Sequence, residues 1–111
     1  ATVTLTLVID EGWHVNAHQP SGDFGPPLNI ISMTEGLTVE PMYPEGRPFV
    51  GPAGPVLVYE GTVVIPVQLS RVGPLVDGGR VAVTWQACDD RVCLQPVTEP
   101  VPVEITSKPG S

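Results

Sequence analysis

The 111-residue chain carries 5 basic and 12 acidic residues, a formal net charge of −7, and such a surface repels phosphate, which argues against nucleic acid and anionic lipid as partners. Eighteen valines, 9 threonines and 5 isoleucines outweigh 5 alanines, and 14 prolines and 12 glycines leave only 1–11 and 80–95 as stretches longer than ten residues free of both; a helical bundle is excluded. The length suits one domain with its own core, and no apolar run nears the ~18 residues of a membrane span.

Residues 2–9 alternate, with Val3, Leu5, Leu7 and Ile9 on one face and threonines on the other, which predicts a half-buried strand. No charged or apolar leader precedes it, so the chain reads as mature or trimmed, which says little about where the protein works. Asp10-Glu11-Gly12 predicts a turn. A short strand over residues 13–16 follows, with Trp13 and Val15 facing the core and His14 and Asn16 the other way. Residues 19–27 are loop by composition. Strands are predicted over 28–33 and 37–40, about a Glu35-Gly36 turn.

Residues 41–55 hold five prolines and three glycines. The expectation is a long loop that no ladder crosses, because proline has no N–H to donate. Strands resume at 56–59 and 62–70, where Pro66 suggests an edge or a bulge. Asp77-Gly78-Gly79 reads as a hairpin turn. Residues 80–88 form one predicted strand with Val81, Val83, Trp85 and Ala87 inward, and a last strand over 101–106 turns Val101, Val103 and Ile105 inward. Seven or eight short strands with regular turns predict an all-β antiparallel sandwich over residues 1–106, with 107–111 as a linker or appended tail.

Chemistry concentrates at Cys88 and Cys93, which four residues separate. A four-residue loop is a common hairpin connection. It would set the two Cα atoms roughly 4.5–5.5 Å apart, within disulfide reach. Such a bond closes so short a loop that the chain-entropy estimate is only ~2 kcal/mol. A staple normally ties distant parts of the chain, whereas a hairpin-mouth bond is easy to reach, as exchange requires. Asp89 and Asp90 disfavour a thiolate at Cys88 and Arg91 favours one, so no strongly acidified thiol is expected. A structural disulfide in a non-enzymatic binding module stays open as the alternative.

Other constellations are weaker. His14 and His18, followed by Met33, Met42 and the two cysteines, make a soft-metal site such as Cu(I) conceivable. Strand residues four apart are ~13 Å apart, too far for one ion, and no metal ligand or cofactor is assigned. His14 is most simply a partly exposed strand histidine. Trp13 and Trp85 are most simply core. Asp10, Glu11, Asp89 and Asp90 read as solvated turn residues. No nucleophile-elbow pattern is present.

The segment Trp85-Gln86-Ala87-Cys88-Asp89-Asp90-Arg91-Val92-Cys93-Leu94-Gln95-Pro96 resembles the active-site segment of the DsbD N-terminal domain family, also known as disulfide bond corrector domains. Gly12-Trp13-His14-Val15-Asn16, Tyr43-Pro44 and Tyr59-Glu60-Gly61 fit in the same order, so the likeness spans roughly residues 3–105. It implies an immunoglobulin-like sandwich in the periplasm or otherwise outside the cytoplasm, acting as a thiol:disulfide oxidoreductase without a cofactor. Electrons would come from a membrane reductase through a thioredoxin-like domain and pass to oxidised thioredoxin-fold partners. Carried over, Cys93 attacks partners and Cys88 resolves, while Phe49 is the best candidate within 44–54 for the aromatic residue that caps the pair, packing under its own loop being the other reading. Two tyrosines flank the site in the best-known members, where this chain has His14 and Asn16. The four-residue cysteine spacing is a second departure, since that member has five.

Overall fold

The computed structural model describes residues 2–18, 26–51, 54–73 and 79–103. Among them ten strands run in chain order: β1 (Thr2–Val8), β2 (His14–Asn16), β3 (Asn29–Ser32), β4 (Leu37–Pro41), β5 (Arg47–Gly51), β6 (Gly54–Tyr59), β7 (Thr62–Arg71), β8 (Arg80–Trp85), β9 (Ala87–Cys88) and β10 (Val97–Pro102). Every pairing is antiparallel. The sheet orders are β1-β7-β4, β10-β8-β3 and β5-β6-β2-β9. This is an all-β, immunoglobulin-like antiparallel sandwich.

The alternation read in residues 2–9 sets the core. β1 lies along β7 with Leu5 opposite Ile65 and Leu7 opposite Val63. The inward side of β7 supplies Val63, Ile65, Val67 and Leu69. These meet Val81 and Val83 of β8, Ile30 of β3 and Val15 of β2, so all three sheets share one core. Burying each such side chain contributes roughly 1.5–3 kcal/mol, and truncating Ile65 to alanine would cost about 2–5 kcal/mol. Turns fall where glycine allows them. Trp13 N donates to Asp10 O across Gly12, and Leu37 N to Thr34 O across Gly36, with φ of 88° and 86° at the two glycines.

The long-loop expectation for 41–55 is corrected: β5 and β6 form a hairpin in which Pro48 lies opposite Leu57 and Pro55 opposite Val50. Leu57 O accepts from Ala17 N, so the polar groups of Leu57 point towards β2 and away from β5. Pro48, its opposite number, therefore has its missing N–H on the outer edge, and Pro55 likewise faces away from β5. Neither proline interrupts the ladder. Pro66 is not on an edge, since β7 runs between β1 and β4. It accepts from Met42 N at 2.8 Å but cannot donate back, and β4 ends one residue earlier, at Pro41.

The hairpin expected at Asp77-Gly78-Gly79 does not form between paired strands, because β7 and β8 belong to different sheets; Asp77 and Gly78 themselves lie outside the described residues. Most of the predicted 19–27 loop and Ile105 also lie outside them. The last strand begins at Val97 rather than Val101, and its Pro100 is tolerated because β10 is an edge. The predicted strand over 80–88 breaks at Gln86, where the chain leaves β8 for β9 and passes from one sheet to another.

Candidate functional site

The second cysteine arm folds back on the first. Leu94 N donates to Ala87 O at 2.9 Å, and Gln86 Nε2 donates to Leu94 O at 3.0 Å. Trp85 lies opposite Val97, while Cys88 faces Cys93 in an isolated bridge. Residues 86 and 87 therefore confront 94, 95 and 96, and the extra residue bulges the second arm ahead of Pro96. Cys88 and Cys93 are joined as a disulfide with Cα atoms 4.0 Å apart, closer than the sequence predicts.

The connecting loop accounts for that closeness. Asp89 N donates to Val92 O at 2.9 Å. The Asp89 carboxylate accepts from Arg91 N at 2.8 Å and from Val92 N at 2.7 Å. Those two N–H groups, Val92 foremost, hold the Asp89 carboxyl below the usual carboxylate range. Asp89 is thus a turn-former with its charge committed to backbone, as expected of a turn residue, and Asp90 is exposed.

The two sulfur residues are unequal. Cys88 is 5% exposed, whereas Cys93 is exposed and sits between Val92 and Leu94, at 54% and 52%. A groove of about 400 Å³ opens beside them, lined by Leu7, Trp13, Trp85, Ala87 and Leu94 among others. Trp85 packs against the core as predicted. Trp13 does not join the core; it is half-buried in the wall of this groove.

β2 brings two more of the singled-out residues to the cysteines. His14 lies directly opposite Cys88 in the ladder, and Asn16 follows on the same face. Both are buried, His14 at 6% and Asn16 at 3% exposure. The expectation of a partly exposed histidine is therefore corrected. Phe49, on strand β5 rather than in a loop, sets its ring against the imidazole with centroids 4.2 Å apart. Val56 and Val58 of β6 are buried on this face as well. Burial pushes the His14 imidazole below its ordinary 6.5, against the opposing pull of Glu60 and Asp89.

His18 has a different environment from His14. Its ring stacks on Tyr43 at 3.7 Å and its Nδ1–H donates to Leu28 O at 2.9 Å. Among the described residues no group of three His, Cys, Asp or Glu side chains is placed to hold a metal. Two roles in the site go beyond the sequence reading: the Gln86 amide ties the hairpin arms, and the Glu60 charge reaches His14. Gln86 belongs to the segment that carries the family resemblance, but nothing in the order of residues shows its amide reaching Leu94, and Glu60 is brought near His14 only by the β2–β6 register.

A β-sandwich that carries its cysteine pair across a strand hairpin, with one sulfur residue buried and the other exposed, is a class apart from proteins that place a reactive thiol at a helix N-terminus. The family model for the N-terminal domain of the thiol:disulfide interchange protein DsbD matches residues 1–105. The chain belongs to that family, whose general role is thiol–disulfide interchange outside the cytoplasm. No curated protein matches the chain.

Proposed function

We propose that this domain, residues 1–106, is an extracytoplasmic relay that carries two electrons between proteins on the Cys88–Cys93 pair. The unequal exposure of the two cysteines is the observation that supports this reading. A donor thiolate, from a thioredoxin-like domain served by a membrane reductase, attacks Sγ of Cys93. The Cys88–Cys93 bond breaks and Cys88 departs as a thiolate that takes up a proton. The donor's second thiolate then attacks its own mixed-disulfide sulfur, which leaves the donor oxidised and both cysteines reduced. In the second half-cycle the Cys93 thiolate attacks the disulfide of an oxidised thioredoxin-fold acceptor. Cys88 then attacks Cys93, and the acceptor leaves reduced.

Cys93 is thus the sulfur that meets partners and Cys88 the one that resolves. Phe49, lying over His14 beside Cys88, acts as part of the cap that partners displace. The test is to replace Cys88 with serine and incubate the variant with an oxidised thioredoxin-fold protein. A disulfide-linked complex through Cys93 is expected. Trapping through Cys88 in the Cys93→Ser variant, with none through Cys93, would reverse the assignment. No complex with either variant, and resistance of the wild-type disulfide to a reduced thioredoxin-like donor, would leave the bond structural.

A further inference from the structure

Exchange at this pair has unequal proton needs. Cys93 is exposed and can trade its proton with water, but Cys88 is 5% exposed. To resolve a mixed disulfide, Cys88 must become a thiolate in a place where charge is poorly solvated. A nearby group must take its proton, or the step is slow.

The groups around Cys88 narrow the choice. Asp89, its neighbour in the chain, accepts two backbone N–H groups of its own loop and is held in its charged form by them. It is a poor base for a thiol. Asp90 and Arg91 are exposed on the loop. Glu60 lies at the end of β6 and pairs with Arg47 of β5 at 4.0 Å. His14 stands directly across the ladder from Cys88, where facing side chains have Cβ atoms roughly 4.5–5.5 Å apart. Its ring is held on the other side by Phe49.

We infer that His14 is the general acid–base partner of Cys88, accepting the Cys88 proton when that sulfur attacks and returning one when it departs. The inference rests on the relay reading above and adds the residue that handles its protons. In the second half-cycle, which reoxidises the domain, neutral His14 takes the proton of the Cys88 thiol. The new thiolate attacks Sγ of Cys93, the intramolecular bond forms, and the partner's sulfur leaves with the electron pair of the broken bond. The imidazolium then gives its proton to that departing thiolate or to water. By microscopic reversibility, His14 protonates Cys88 when a donor opens the bond. Burial keeps the ring neutral and ready to accept near neutral pH, and the negative charges of Glu60 and Asp89 favour the imidazolium once formed.

Ellman's reagent separates the two sulfurs. The reduced domain releases one thionitrobenzoate when Cys93 attacks the reagent and a second when Cys88 resolves the adduct. Cys88→Ser and Cys93→Ser variants assign the phases independently of His14. In His14→Gln, which keeps polarity but does not titrate near neutral pH, the second phase is expected to slow at least tenfold, and the first to stay within twofold. In His14→Phe, which keeps a ring against Phe49, the second phase should slow likewise. The wild-type second phase is expected to show an inflection below pH 6.5, and both variants to lose it. Either variant retaining the wild-type second-phase rate and its pH profile, at wild-type thermal stability, would overturn the assignment. If the single-cysteine variants show that Cys88 attacks first, the relay assignment fails instead.

Discussion

Phe49 lies against His14 with ring centroids 4.2 Å apart and planes tilted by 39°. That contact links β5, at one edge of the four-stranded sheet, to β2, whose other neighbour carries Cys88. Replacing Phe49 with alanine should open this face and speed reduction of the disulfide by a small thiol such as glutathione severalfold. Because Phe49 is only half-buried, the stability loss should be about 1–3 kcal/mol, at or below the low end of the range for a fully buried ring. An unchanged reduction rate, measured by thiol trapping, would remove the ring from the cap.

The His14 imidazole has a folded pKa below 6.5. As pH falls through 6.5 the unfolded chain takes up a proton that the folded protein does not. Stability therefore falls from about pH 6.5 down to the folded value and levels off beneath it. Urea midpoints at pH 7.5 and 5.5 should differ for the wild type and converge for His14→Gln. A midpoint that rises on acidification would contradict the sign.

Asp89 shapes the loop through its two accepted backbone bonds. Asp89→Ala should leave the Arg91 and Val92 amides exchanging with deuterium at least tenfold faster. Asp89→Asn should remain close to wild type, since an amide oxygen accepts the same bonds. Equal exchange in the two variants would show that the disulfide alone sets the loop.

Gly46 approaches β2 and β6 so closely that an added Cβ would stand 2.7 Å from Ala17 Cβ and 2.9 Å from Leu57 Cβ. Both obstacles are short side-chain stems fixed to paired backbone. Gly46→Ala should cost about 1–3 kcal/mol in chemical denaturation. Gly51→Ala, whose new atom would meet nothing nearer than 3.8 Å, should stay within about 0.5 kcal/mol.

Much of the plan was legible in residue order because alternation encodes burial directly. The inward side of β1 and Val81 and Val83 of β8 follow from a two-residue period, and the disulfide reach of the two cysteines follows from the length of the loop between them. The β5–β6 hairpin was not legible. Whether Pro48 breaks a ladder depends on which way its nitrogen faces, and pairing decides that rather than composition. The break at Gln86 was hidden for a similar reason: its parity agrees with a continuous strand, and only the change of neighbours reveals the crossing. His14 was on the correct face, but its burial depends on an aromatic ring supplied 35 residues later in the chain.

The crossing at Gln86 has a mechanical consequence. Both roots of the sulfur hairpin, Trp85 and Val97, lie in the sheet of β8, while its first arm crosses at Gln86 and reaches β2 through β9, so the hairpin straddles a seam. Heat or force that parts the two sheets would wrench the reactive bond away from His14 in the same event. The proton transfer proposed between His14 and Cys88 should therefore be lost on the same curve as the fold.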